Sequence, residues 1–170
     1  MYKIVVLLLV GLVASCGGGQ TDISGMYQTV QHTKNEGDCT NQGNDESEPP
    51  YFLLTKQDFF GATLYSMSNC TSTAEVDCAG GGLFGLTFSI PVSNGWEGES
   101  SMSFGDGDPC NLAYSETSAI LDGETLTVEA RTWGEEVTLT EEKCNPDEAR
   151  ARGEGMPCET YEVFRGNRIE

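Results

Sequence analysis

The chain has 170 residues, enough for one domain with a sizeable hydrophobic core. It is strongly acidic, with 27 Asp and Glu against 9 Lys and Arg and a formal net charge of −18. Such a surface repels the phosphates of nucleic acids and of anionic lipids, so we expect no nucleic-acid partner and interpret the acidity mainly as solvated surface.

The N-terminal residues have the pattern of an export signal. Lys3 precedes an apolar run over residues 4–12, and the stretch closes with Val13-Ala14-Ser15-Cys16. The apolar part is shorter than the ~20 residues that a membrane-spanning helix needs. A basic start, a short apolar run and small residues at the exit are typical of a secretory signal peptide, here residues 1–15. In an ordinary secretory leader, Cys16 would instead stay free or enter a disulfide.

The motif Val13-Ala14-Ser15-Cys16 resembles the lipobox of bacterial lipoprotein precursors. The resemblance implies cleavage before Cys16 and acylation of its thiol and new amino group, which gives a membrane anchor. Gly17 is not the aspartate that retains some bacterial lipoproteins in the inner membrane. An outer-membrane lipoprotein of the cell envelope, facing the periplasm or the cell surface, is therefore implied. Residues 16–22 would be the lipidated cysteine and a flexible tether, and residues 23–170 a single β-rich domain.

Six cysteines remain when Cys16 is set aside, and exported proteins meet an oxidising compartment, so we expect three disulfides. Many pairings are possible in principle. Pairings that close short loops are favoured, which selects Cys70–Cys78 and Cys144–Cys158. The two cysteines that remain would then form Cys39–Cys110. No Cys-x-x-Cys spacing occurs and His32 is the only histidine, so we expect neither a zinc site nor another metal centre, and no cofactor.

Short strand-like runs dominate the rest of the chain. In chain order they cover residues 26–32, 51–55, 63–67, 84–90, 96–104, 110–121, 125–132, 137–139 and 161–164. Two polar stretches, 34–50 and 69–82, predict long loops, and loops of this length are often functional or disordered. Asn94-Gly95 and Asp122-Gly123 are strong signals for hairpin turns.

One short helix is predicted over residues 146–152. Asn145 is a suitable N-cap, Pro146 suits the first helical position, and Asp147 and Glu148 place acidic side chains in the first turn. Gly153 is placed to end the helix.

Eight or nine short strands with frequent turns and almost no helix indicate an all-β fold, an antiparallel barrel or sandwich. Sequential hairpins favour an up-and-down meander. Gly25-Met26-Tyr27 at the start of the first strand is similar to the Gly-x-Trp of small lipocalin-like barrels, with tyrosine in place of tryptophan. That resemblance implies a barrel that holds a small apolar ligand, in a cavity lined by aromatics such as Phe84 and Phe88.

Catalytic patterns are weak. His32, the only histidine that could serve a nucleophilic triad, is expected to be a surface residue. Acidic pairs such as Glu135-Glu136 and Glu141-Glu142 are unavoidable in this composition. Asp106-Gly107-Asp108 begins like a calcium loop but lacks the later ligands, although an irregular calcium site is an alternative.

The function we expect is therefore a non-catalytic binding module. It would be held at the membrane by its lipid anchor and bind an unknown protein or small molecule through loops 34–50 and 69–82. The alternatives are a lipocalin-like carrier of a small apolar ligand and, less favoured, a carboxylate-based hydrolase.

Overall fold

A computed structural model describes residues 20–46, 49–79, 86–105 and 108–169. The expected signal peptide and Cys16 lie outside the described residues. In chain order the described helix and strands are β1 (Gly25–Glu36), β2 (Asn44–Asp45), β3 (Tyr51–Phe59), β4 (Ala62–Cys70), β5 (Cys78–Ala79), β6 (Thr87–Phe88), β7 (Ile90–Val92), β8 (Gly95–Phe104), β9 (Cys110–Asp122), β10 (Thr125–Val137), α1 (Pro146–Arg152) and β11 (Cys158–Arg168). No helix in this part of the chain is long and apolar enough to cross a membrane.

The described strands form one antiparallel sheet that curls into a half-barrel. Nine of them follow the order β5-β4-β3-β1-β11-β10-β9-β8-β7, while β2 pairs with β1 and β6 pairs with β4. This confirms the predicted all-β antiparallel fold with eight or nine main strands. Consecutive long strands are neighbours within β1-β3-β4 and within β8-β9-β10-β11, and β1 pairs with β11. The connections therefore follow the predicted up-and-down meander, with the first and last long strands side by side.

Residues 86–92 bridge the two edges of the curled sheet. At one edge Phe88 of β6 lies opposite Tyr65 of β4, and the amide of Met67 donates to the carbonyl of Leu86 at 2.9 Å. At the other edge Ile90 of β7 lies opposite Glu97 of β8. One short segment therefore hydrogen-bonds to both edges, which makes the architecture barrel-like rather than a two-sheet sandwich.

The concave side of the sheet encloses the main core. Alternation along each strand turns every second side chain inward. The buried residues of this cluster are Ile23, Tyr27, Phe52, Leu54, Tyr65, Met67, Phe88, Trp96, Ala119, Leu126, Val128 and Phe164. Aromatic rings dominate the volume, and Phe88 is completely buried among them.

The N-terminal segment, residues 21–24, is fixed across one end of the barrel, which we call the N-terminal end. Ile23 is completely buried. The indole Nε1 of Trp96 donates to the carbonyl of Thr21 at 2.7 Å, and Nη2 of Arg168 donates to the carbonyl of Asp22 at 2.9 Å. Thr21 and Asp22, which the composition assigned to the tether, are thus bound to the domain.

The opposite end of the barrel carries longer connections, and disulfides hold them. The six described cysteines pair as Cys39–Cys158, Cys70–Cys78 and Cys110–Cys144. The predicted Cys70–Cys78 bond is confirmed. The predicted Cys39–Cys110 and Cys144–Cys158 bonds are wrong, because strand neighbours outweigh sequence proximity. β1 pairs with β11, which brings Cys39 to Cys158, and α1 packs on β8 and β9, which brings Cys144 to Cys110.

The predicted helix is confirmed over the expected residues. The side-chain oxygen of Asn145 accepts a 2.9 Å hydrogen bond from the amide of Glu148, and Pro146 occupies the first turn. The helix buries Ala149 in a second, smaller cluster on the outer face of the sheet, together with Leu112 and Trp133. An N-cap residue, a proline at the start of the helix and a buried alanine are sufficient to predict this seven-residue helix from the sequence.

A substitution at Gly98 tests the bridging segment. A Cβ at this position would collide with the carbonyl oxygen of Thr87, whereas a Cβ at Gly155 would meet nothing within 4 Å. We expect G98A to lower the free energy of unfolding by about 1–3 kcal/mol, the usual cost of overpacking. The matched control G155A should change it by less than about 0.5 kcal/mol. Denaturant unfolding of both variants measures this, and an unaffected G98A would contradict the contact between β6 and β8.

The disulfide pattern makes a second prediction. Cys39–Cys158 closes a sequence separation of 119 residues and Cys70–Cys78 a separation of 8. In the chain-entropy relation, these loops correspond to about 5 and about 2.5 kcal/mol of stabilisation. We expect C39A/C158A to be destabilised about twice as much as C70A/C78A in denaturant unfolding. Non-reducing peptide maps of the unaltered protein check the pairing, and a linked Cys144–Cys158 peptide would overturn it.

Candidate binding groove

A groove of 270 Å³ crosses the outer face of β8, β9 and β10. We call it the outer groove; its lining residues are Ile90, Glu97, Gly98, Glu99, Glu116, Thr117, Ser118, Glu129 and Arg131. Strand alternation explains its composition. Trp96 faces the core, so Glu97 and Glu99 face outward, and the register places Glu99 directly opposite Glu116.

The charge of the outer groove is unbalanced. Of the described residues that line it, four are glutamates and one, Arg131, is a cation. Like charges directly opposite each other on neighbouring strands destabilise a sheet, and Glu99 and Glu116 form such a pair. Arg131 of β10 lies opposite Glu116 on its other side and offsets part of this repulsion, but no cation lies opposite Glu99 in the register of β8 with β9. The excess of carboxylates makes the groove a candidate site.

Arg131 is held in place at one side of the groove. Its Nη2 donates to Oε2 of Glu129 at 3.0 Å, and its guanidinium lies 4.3 Å from the ring centroid of Tyr161. Its Nε donates to the carbonyl of Cys39 at 3.3 Å. The Tyr161 hydroxyl donates to the same Glu129 oxygen at 3.0 Å. The cation is thus engaged within the protein and offsets only part of the groove's negative charge.

The other side of the groove meets the second core cluster. The Tyr114 hydroxyl donates to Oε1 of Glu116 at 2.9 Å, and its ring packs on Trp133. Burial raises the pKa of the Tyr114 hydroxyl, and the hydrogen bond to Glu116 raises it further. The phenol therefore stays protonated at physiological pH and remains a donor to this carboxylate.

The predicted loop 34–50 is shorter than expected and reaches the groove. Lys34 lies in β1, and Asn44 of β2 pairs with it. We call residues 37–43 the stapled loop, because Cys39 bonds to Cys158. Hydrogen bonds from Thr40 and Asn41 lower the pKa of Asp38 to about 2. The loop contacts the groove through the carbonyl of Cys39, which accepts from Arg131.

The predicted loop 69–82 lies elsewhere. Cys70 belongs to β4 and Cys78 to β5, and residues 80–82 are outside the described residues. Among the residues that the structure describes, none of this loop lines the outer groove. The two predicted binding loops are therefore not brought together at this site.

His32 is not the surface residue that the sequence predicted. Its side chain is 9% exposed, its ring stacks on Phe164 at 4.1 Å between centroids, and Nε2 lies 2.7 Å from Oε1 of Glu162. The β-bulge between Thr29 and Gln31 shifts the alternation of β1 by one residue, so His32 lies opposite Phe164 on the core side of the sheet. His32 therefore packs the sheet and lies outside the outer groove.

Sequence reasoning missed the four glutamates as a group. The available signal was the alternation Trp96-Glu97-Gly98-Glu99, which places two carboxylates on one face of a strand. Their partners Glu116 and Glu129 could be added only with the strand register. Within the described ranges, no group of three or more His, Cys, Asp or Glu is arranged to hold a metal ion.

The chemistry available in the outer groove is electrostatic. Four carboxylates on facing strands, partly offset by one fixed guanidinium, form a negative recess suited to ammonium or guanidinium groups. Comparisons of the chain with protein-family models, with curated proteins and with solved structures gave no match.

Proposed function

We propose that the chain is a non-catalytic binding module of the cell envelope, anchored by a lipidated Cys16, that holds cationic groups of a partner in the outer groove. The observation that carries the binding proposal is the cross-strand placement of Glu99 opposite Glu116, beside Glu97 and Glu129. A ligand cation would relieve the repulsion that the sheet otherwise tolerates. Binding would therefore gain both from new ion pairs and from this relief.

The cysteines support an exported location. The six described cysteines are all in disulfides, and disulfides form and persist in oxidising compartments. This agrees with the signal-peptide pattern before Cys16. The lipobox resemblance then adds the anchor and the outer membrane to the proposal.

Binding on the outside of the sheet is favoured over the lipocalin-like alternative. The carrier hypothesis requires a cavity lined by aromatics such as Phe88, and Phe88 is completely buried in the packed core. Phe84 lies outside the described residues. The outer groove and a further groove of 590 Å³ beside His32 and Arg165 are lined mainly by polar and charged residues and by none of the core aromatics.

Binding is also favoured over carboxylate-based hydrolysis. A hydrolase of that type needs one carboxyl to donate a proton and another to act as base or nucleophile. Glu116 and Glu129 both accept hydrogen bonds from tyrosine hydroxyls, and Glu129 also pairs with Arg131. These carboxylates are engaged as fixed acceptors, which suits electrostatic binding better than proton transfer.

The anchor can be tested by intact mass spectrometry of the chain made in a bacterium that processes lipoproteins. We expect the membrane fraction to contain a form that lacks residues 1–15, carries acyl chains and has six oxidised cysteines. The variant C16S should lose the acyl chains and leave the membrane fraction. A membrane-bound form with residues 1–15 intact and Cys16 unmodified would refute the lipoprotein proposal.

The groove can be tested by quantitative capture of envelope proteins and small molecules on the immobilised domain. We expect E99Q/E116Q to retain about tenfold less partner, because two lost ion pairs of ~0.7 kcal/mol each amount to ~1.4 kcal/mol. The control E141Q/E142Q removes the same charge from two exposed residues that do not line the groove. Capture by the unaltered domain should also weaken in high salt. Equal capture by both variants would exclude the groove as the binding site.

A further inference from the structure

The hairpin of β3 and β4 extends past the N-terminal end of the barrel. β1 pairs with β3 only as far as Gly25 opposite Leu54, and β3 continues for five more residues. Every residue from 55 to 62 is exposed. We call these eight residues the hairpin arm. At about 3.3 Å per residue, the arm reaches about 16 Å beyond Gly25.

The tip of the hairpin arm presents two aromatic side chains to solvent. Phe60 is fully exposed and Phe59 is 55% exposed. Phe59 pairs with Ala62, so Phe60 and Gly61 form a two-residue turn in which both have positive φ, 49° and 88°. Asn or Gly normally occupies the first of these positions. A phenylalanine there is disfavoured, and no packing within the domain offsets the cost, so the tip is not explained by folding.

The hairpin arm lies at the end of the barrel where the chain comes from its proposed anchor. Thr21 is fixed there by Trp96. Cys16 is five residues before Thr21, so the chain between them spans at most about 18 Å. If Cys16 carries acyl chains, the N-terminal end must stay within this distance of the bilayer. The arm's reach of about 16 Å is of the same size.

The charge of the hairpin arm also suits a membrane surface. Between Glu48 and Glu75 the chain has only two charged residues, Lys56 and Asp58, which cancel. The Asp58 carboxylate accepts a 2.7 Å hydrogen bond from the hydroxyl of Thr63. The strong acidity of the chain therefore does not extend to the arm. Exposed aromatic side chains on an element of zero net charge are typical of contact with the interfacial region of a bilayer.

We propose that Phe59 and Phe60 insert into the headgroup region of the leaflet that holds the acyl chains of Cys16. This inference rests on the proposed lipid anchor. The arm supplies a second, non-covalent contact some distance from the tether, so two points rather than one hold the domain. The domain then stands with its N-terminal end towards the lipid and its disulfide-linked end away from it.

Depth-dependent fluorescence quenching tests this orientation. The probe is the full, lipidated chain in phosphatidylcholine vesicles that contain a brominated phosphatidylcholine. The variant F60W places an indole at the tip, and V76W places one at an exposed apolar residue of the opposite end, 89% exposed. Trp96 and Trp133 are 1% and 5% exposed and give a constant background. We expect the emission added by F60W to shift to shorter wavelength and to be strongly quenched, and that added by V76W to change little.

The possible outcomes separate the two proposals. If the protein floats with the vesicles but F60W and V76W are equally unquenched, the anchor stands and the contact of the arm with lipid is refuted. A tip that binds a protein instead would give this result. Equal quenching of both variants would refute the orientation. If the lipid-modified protein fails to float with the vesicles, both the anchor and the contact are refuted.

Discussion

The antiparallel pairing of the first long strand with the last is the constraint on which the rest of the structure depends. β1 and β11 pair from Tyr27 opposite Arg168 to Glu36 opposite Thr160. This ladder joins the hairpin of β3 and β4 to the meander of β8, β9 and β10. It is also a non-local contact, because it links the two ends of the domain, so its formation must overcome a large loss of chain entropy. The sheet can curl into a half-barrel only once this ladder is in place.

The two ends of the β1–β11 ladder are secured by different means. At the N-terminal end, Arg168 donates to the hydroxyl of Tyr27 and to the carbonyl of Asp22 and ties the chain across the core. At the other end, Cys39 follows β1 and bonds to Cys158, the first residue of β11. At the N-terminal end the connections are tight turns, and packing and hydrogen bonds are enough to hold the strands together. Covalent links hold the end where the connections are long and bury little apolar surface.

The sequence predicted what depends on local chemistry. Asn145 and Pro146 placed the helix, and Asn94 and Gly123 marked two hairpins, each turn lying one residue from its expected centre. What depends on strand order, strand register and tertiary packing could not be read in the same way. Two disulfides were paired wrongly because loop length was used where strand order decides. The outer groove was missed for the same reason, since Glu99 and Glu116 are seventeen residues apart in sequence and meet only through the register of β8 and β9.

The position of the outer groove gives the proposed orientation its functional meaning. Glu97 lies two residues from the start of β8 and Glu129 four residues from the start of β10, both counted from the N-terminal end. At about 3.3 Å per residue these carboxylates are only about 7–13 Å from the end that would face the membrane in the proposed orientation. A domain resting directly on the bilayer would place the groove beside the headgroups, where a bulky partner is obstructed. In the proposed orientation, an arm that extends about 16 Å past Gly25 along the strand would hold the groove clear of the surface. On this proposal the protruding hairpin and the short tether act together, because the tether would limit how far the domain can move away and the arm would limit how closely it can approach.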